Sequence, residues 1–215
     1  MSGPAVKLHV FSDYICPFCY IGSGRLLSLR DEFDIKINWC HVEIHPEIPE
    51  QGMKVTDLGY SDKQWQAMNE NLMRLAREDG VEFHPPAHIP RSQKALLLSL
   101  AAREQGSEVY YPLHEAIFDA YFQKGQDIGD EELLRTLALS VGMETDDIED
   151  AWREQVYQER LNYNLNLARQ LGIHSTPTFV IGDSVLVGAQ PVQRLRQAFE
   201  DYRRAEESRA TNLVH

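Results

Sequence analysis

Apolar and polar residues alternate at the two ends of the chain and fall at helical spacing through its middle. Residues 5–11, AVKLHVF, are β-prone and alternate, which predicts a buried strand. SDYI predicts a short loop, and from Cys16 the pattern turns helical, with Tyr20, Leu26, Leu27 and Leu29 among the apolar positions. A second strand is expected over 34–39, DIKINW, followed by a loop in the Pro- and Gly-bearing HVEIHPEIPEQG.

From about residue 61 the pattern is helical alone, and four short helices are expected. The first opens on Ser61-Asp62, carries Trp65, Met68, Leu72 and Leu75, and stops at Gly80. The second has Ser92 as its N-cap and ends at Gly106; the third, from Tyr111, ends at Gly125; the fourth, from Asp130, ends at Gly142. One longer helix is predicted from about Asp146 to Leu171. Strand character returns in TPTFVI and SVLV, which flank Gly182-Asp183, a two-residue hairpin signal. Pro191 suits the first turn of a final helix. There is no internal repeat. The order implies one α/β domain interrupted by an all-helical insertion, with 61–145 as the insertion between 1–60 and 146–215.

Composition narrows the class. The 215 residues are 43% hydrophobic and 25% charged, as in ordinary globular proteins. A net charge of −12 disfavours nucleic acid and anionic membranes as partners. The start, MSGPAVKLHVFSDYICPF, has no basic segment followed by a clean apolar run, and nothing approaches the roughly 18 apolar residues of a membrane span. The expected location is cytoplasmic. Three cysteines are too few for a disulfide-stapled scaffold, and in a reducing compartment a close pair points to catalysis or metal.

That pair is Cys16-Pro17-Phe18-Cys19, at a predicted strand-to-helix junction. The unpaired N–H groups and dipole of a helix start favour an anion, so a thiolate at Cys16 is stabilised there. Only the thiolate attacks a disulfide. Cys19, one turn further in, can resolve the mixed disulfide that forms. Pro17 fits the first turn, where its missing N–H goes unused. Half a zinc site is the competing possibility, but only Cys40-His41 offers a second close pair. Tyr20 stands where c-type haem attachment needs His. Redox use fits best.

The second signal is Gly172-Ile173-His174-Ser175-Thr176-Pro177-Thr178-Phe179, where a proline precedes a strand and so belongs at its start or edge. CPFCYIG after a strand, the TP step before a hairpin, GAQP after it, and the segments FDAYFQKGQDIGD and ARQLGI together resemble the DsbA family of thioredoxin-fold oxidoreductases. The resemblance covers nearly the whole chain and is closest to the FrnE-type branch, related to 2-hydroxychromene-2-carboxylate isomerases and kappa-class glutathione transferases. It implies a thioredoxin-like fold in two parts around the helical insertion. It implies a cis Pro177 facing the dithiol and a Thr176 backbone that pairs with an extended substrate. Beside them Pro17 and Phe18 are expected substrate contacts, and His174, two residues before Thr176, either lines the groove, tunes the thiolate or is a loop histidine without a role. Cys16 and Cys19 are then catalytic, no metal is bound, and no cofactor is needed beyond the redox-active disulfide, with glutathione as a possible co-substrate. Partners would be protein or small-thiol disulfides, and the chain a monomer or homodimer. The sister branches offer an alternative: a glutathione-dependent isomerase or transferase acting on a small aromatic molecule. Strongly oxidising relatives resemble CPHC; with Phe18 instead, Cys16 is expected below the free thiol value of about 8.5 but less depressed than the lowest known.

Other residues carry weaker expectations. Cys40 reads as a small buried hydrophobe. His41, His45, His84 and His88 lie in or beside Pro-containing loops without metal-ligand spacing and are expected at the surface. Arg91, Ser92 and Lys94 open a helix near which the glutathione-using relatives bind their tripeptide. Tyr110, Tyr111, Phe118, Tyr121 and Phe122 fall at helical spacing, as core residues do, and the acidic run 144–150 suits a solvated helix start.

Overall fold

The computed structural model describes residues 3–84 and 88–212. Strands β1 (Val6–Ser12), β2 (Ile35–His41), β5 (Thr178–Ile181) and β6 (Ser184–Val187) form one sheet in the order β2-β1-β5-β6. β1 and β2 run parallel, with Val6 opposite Ile35 and Ser12 opposite His41. That direction demands a crossover, which helix α1 (Pro17–Leu27) supplies together with a 3₁₀ turn over Ser28–Asp31. β5 lies antiparallel to β1, and β6 antiparallel to β5. Their hairpin turns at Gly182, whose φ of 56° is left-handed.

Alternation along β1 serves two faces. Val6, Leu8 and Val10 pack in the main core with Leu26 of α1 and with Leu195 and Phe199 of α8 (Val192–Asn212). Phe11 points the other way, to Cys40, Val42 and Ala168, where helix α7 (Gln155–Gln170) covers the sheet. Cys40 is thus the buried hydrophobe its setting in the sequence suggested.

Between β2 and β5 the chain is mostly helical: α2 (Asp62–Glu78), α3 (Gln93–Glu104), α4 (Ser107–Phe122), α5 (Glu131–Ser140) and α6 (Thr145–Arg153). α2 opens on a full capping box, with Ser61 Oγ accepting from the Gln64 N–H and the Gln64 side chain accepting from the Ser61 N–H. Every residue of α3 from Ala95 to Ala102 is buried, so this helix is apolar all round and the others pack about it. Tyr110, Phe118, Tyr121 and Phe122 are core residues, as their spacing implied.

Four expectations change. β2 runs on through Cys40 and His41, and His41 is 1% exposed rather than at the surface. Its Nε2 lies 3.2 Å from the Tyr110 hydroxyl, because the insertion closes over the sheet's end. The loop after β2 contains a two-residue strand β3 (Met53–Lys54) paired with β4 (His88–Ile89), too short to leave a periodic signal. α4 starts at Ser107, with Pro112 in its second turn, where it removes only one helical hydrogen bond. The long helix expected over 146–171 is two: Glu154 is extended (φ −77°, ψ 126°) between α6 and α7. α6 buries Ile148 and Ala151 within the helical group, whereas α7 turns Asn164 and Ala168 to the sheet, Asn164 Nδ2 donating to the His41 carbonyl at 3.0 Å. No glycine or proline marks that break, so the pattern alone reads straight through it.

Two polar clusters bind α1 and the loop before it to the helical layer. His114 of α4 places Nδ1 2.9 Å from the Tyr14 hydroxyl and Nε2 2.9 Å from Ser23 Oγ on α1, and Tyr14 also meets Ser99 of α3 at 2.6 Å. Arg25, 5% exposed, makes a two-pronged bond to Asp79 at 2.7 and 3.0 Å and donates to the Ala189 carbonyl at 3.0 Å, tying α1 to the end of α2 and to the loop after β6.

Candidate active site

The loop from β1 to α1 sets the position of Cys16. Asp13 accepts the Cys16 N–H at its carbonyl (3.2 Å), and Cys16 is the extended N-cap residue of α1 (φ −85°, ψ 112°) with Pro17 following. The Cys19 N–H donates to the Cys16 carbonyl at 3.0 Å. Both cysteines are free thiols, Cys16 6% and Cys19 1% exposed. Opposite them the Thr176–Pro177 bond is cis, as the family resemblance implied. Cys16 Sγ lies 3.4 Å from the Thr176 carbonyl oxygen. Gly22, one turn beyond Cys19, lets Pro177 come this close: a Cβ there would stand 3.0 Å from Pro177 Cγ and 3.2 Å from Phe179 Cζ.

The two thiols are electrostatically unequal. A hydrogen bond from the Cys19 thiol holds Cys16 below the ordinary thiol range, against burial and the nearby Asp13 carboxyl. Cys19 goes well above it, through burial first, then its hydrogen bond to Cys16 and the charge there. The arrangement therefore offers one thiolate and keeps a proton on its neighbour. Asp13 is fully buried, and burial pushes its carboxyl up to about 6 although the Ile44 N–H (2.8 Å) and Ile15 N–H (3.4 Å) donate to it. Burial also pushes the Cys40 thiol up to about 11, and Cys40 belongs to the small core cluster on the other face of the sheet.

Beside Cys16 a cavity of about 380 Å³ opens between the thioredoxin-like loops and α2. Cys16, Pro17, Phe18, His174 and Thr176 all line it, so five of the seven residues singled out in the sequence share one space. Pro177 backs onto Gly22 and Cys19 sits behind Cys16, neither in the cavity wall. His174 is exposed at its edge. The opposite wall includes Trp65, Met68 and Leu72, read in the sequence only as the apolar stripe of a helix. Asp13 was missed as well; its signal was a carboxylate inside an otherwise apolar strand-to-helix loop. Arg91 and Lys94 are engaged elsewhere, by Glu43 at 3.1 Å and Glu131 at 2.6 Å. Ser92 stands at the N-cap of α3 without capping it; its hydroxyl is buried beside the Asp13 carboxyl.

Among the described residues no three His, Cys, Asp or Glu side chains gather as a metal site, and no helix is long and apolar enough to cross a membrane. The sequence model of the DSBA-like thioredoxin domain matches residues 7–200. The chain belongs to this family. Among its relatives is YwbO of Bacillus subtilis (strain 168), an uncharacterized protein 28% identical over 197 residues, which span 91% of this chain and 96% of YwbO. The fold matches the probable DsbA oxidoreductase SCO1869 from Streptomyces coelicolor with a TM-score of 0.78 at 23% identity, over 92% of this chain and 89% of that one. It matches a 2-hydroxychromene-2-carboxylate isomerase with a TM-score of 0.73 at 18% identity, over 94% and 98% of the two chains. At these identities the structural matches establish the DsbA-like thioredoxin fold and no particular substrate.

Proposed function

We propose that this protein is a thiol–disulfide oxidoreductase whose electrons pass through the Cys16–Cys19 pair. The observation that carries this is the placement of Cys16, at the N-cap of α1 and 3.4 Å from the Thr176 carbonyl, with the protonated Cys19 held behind it. The Cys16 thiolate attacks one sulfur of a substrate disulfide, forming a Cys16–substrate disulfide and releasing the other half as a thiolate that takes a proton from water. Cys19 then gives up its proton and attacks Cys16, closing the Cys16–Cys19 disulfide and expelling the second half as a thiol. Two electrons leave the dithiol and reduce the substrate; the same steps reversed oxidise a substrate dithiol. In this reading the Thr176 backbone, just before β5, pairs with an extended substrate segment next to its sulfur. The dithiol itself is the redox group, so this chemistry asks for no metal or organic cofactor.

Protein or small-thiol disulfides are the substrates this reading supports, and a reducing, cytoplasmic setting agrees with three free thiols and no covalent staple. Replacing Cys16 by Ser should abolish insulin reduction and dithiol oxidation; full activity in that variant ends the proposal. A second reading is a glutathione-dependent isomerase or transferase, whose aromatic substrate would face Phe18 and Trp65 with glutathione left outside the cavity. Turnover of a 2-hydroxychromene carboxylate with glutathione that survives Cys19→Ala would support it.

A further inference from the structure

The cavity beside Cys16 has a composition that selects among disulfides. Its walls are Ile, Leu, Val, Met and aromatic side chains, and its polar members besides Cys16 and the tyrosines are His45, Asn69, His174, Ser175 and Thr176. Among its described residues there is no Lys, Arg, Asp or Glu. His45, the inner histidine, already pairs with Glu47 at 2.8 Å. Only one of the two active-site sulfurs, Cys16, opens onto this space.

Resting on the dithiol-exchange function above, we propose that the cavity holds the uncharged aromatic or bulky apolar substituent of a low-molecular-weight disulfide, seating its sulfur against Cys16 and discriminating against glutathione disulfide. Volume is the first argument: about 380 Å³ lies within the range of small-molecule sites and accepts one ring system with its linker. Charge is the second. Each half of glutathione disulfide carries two carboxylates and an ammonium, and burying any of them in this lining leaves it without a partner of opposite sign. The protein's own net charge of −12 repels an anionic disulfide before contact. Aromatic walls supply the third: Phe18, Trp65, Phe83 and Phe122 offer faces and edges to a ring. The Thr176 backbone serves one peptide strand at the cavity's edge, but within the cavity the peptide groups of a protein disulfide would meet apolar walls, whereas a lone ring brings none.

The test compares single-turnover oxidation of the fully reduced protein by 2,2′-dithiodipyridine, hydroxyethyl disulfide, glutathione disulfide and insulin, each rate divided by the rate of the same disulfide with dithiothreitol. The dipyridyl ratio should exceed the glutathione and insulin ratios by about tenfold or more. Met68→Lys, which sets a cation in the half-buried wall, should lower the dipyridyl ratio and raise that of glutathione disulfide. Trp65→Ala, at another half-buried position, should lower the dipyridyl ratio several-fold more than the hydroxyethyl disulfide ratio. Equal or higher ratios for glutathione disulfide or insulin overturn the selectivity while leaving dithiol exchange standing, as do dipyridyl ratios that neither variant moves. Failure to exchange with all four reagents, or equal rates in Cys16→Ser, overturns the dithiol function and this inference with it.

Discussion

Cys16 Sγ lies 3.4 Å from the carbonyl oxygen of Thr176, a contact between residues 160 positions apart in the chain. It joins the two halves of the thioredoxin-like unit at the point where chemistry is expected. A helix start, a cis peptide and a cavity wall all meet at that sulfur.

Alkylation should separate the two thiols. Cys16 is held low by its neighbour's hydrogen bond and Cys19 high by burial, so iodoacetamide labelling of Cys16 should show a midpoint below about 8.5 while Cys19 stays unlabelled there. Asp13→Asn removes a negative charge that works against the Cys16 thiolate, and should move the Cys16 midpoint down. Peptide mapping of the labelled protein across pH decides it; a Cys16 midpoint above that of a free thiol contradicts the assigned asymmetry.

Two glycines of α1 make a matched comparison. Alanine at Gly24, which has nothing within 4 Å of an added Cβ, should stabilise the protein by about 0.5–1 kcal/mol, the usual helical gain. At Gly22 the same change drives a methyl into Pro177 and Phe179, and that gain should be lost or reversed. Urea unfolding of both variants, with insulin reduction as the second measurement, checks this. Gly22→Ala should also slow exchange, because the collision displaces Pro177 from behind the dithiol.

Acid should loosen the seam between sheet and helices. His114 has both ring nitrogens paired with hydroxyls in its neutral form, and burial pushes its pKa down to about 3; burial also pushes His41 well below 6.5. The unfolded chain binds these protons near pH 6.5 and the folded chain refuses them, so stability is full above that pH. It is lost as pH falls toward 3, by at most about 1.4 kcal/mol per pH unit for each histidine. Asp13 acts the other way between 3.8 and about 6, because the folded protein keeps its proton longer. Urea midpoints measured from pH 7 to 4 should therefore fall, and His114→Gln should flatten the slope.

Arg25 should be costly to remove. Its guanidinium is buried and satisfies Asp79 and the Ala189 carbonyl together, so Arg25→Ala strands a carboxylate and an acceptor. Asp79 keeps partial access to water, at 24% side-chain exposure, which limits the expected loss to about 2–3 kcal/mol in urea unfolding.

Periodicity placed the main-sheet strands and most of the helices, but it ran α6 and α7 together as one. The dithiol was legible because CxxC at a strand-to-helix junction has chemical meaning by itself. Pro177 was legible through family resemblance, its place in the sequence saying only that it begins a strand. Glu154 was not legible: two packing surfaces, and no local residue, decide that the chain turns there. The sequence around His41 reads as surface, because nothing local reports that α4 folds over it. The cavity was illegible for the same reason, being made by α2 facing loops far away in sequence, so Trp65 and Met68 read as core.

Cys19 stands behind Cys16 and outside the cavity, and this divides capture from release. On the proposed chemistry, a molecule bonded to Cys16 would be freed from within the protein, by the sulfur that stands behind it. Taking that sulfur away, as in Cys19→Ala, closes the internal exit while leaving the entrance as it was. The protein then becomes bait: whatever it meets in a cell extract stays covalently attached to residue 16, ready to be weighed and named.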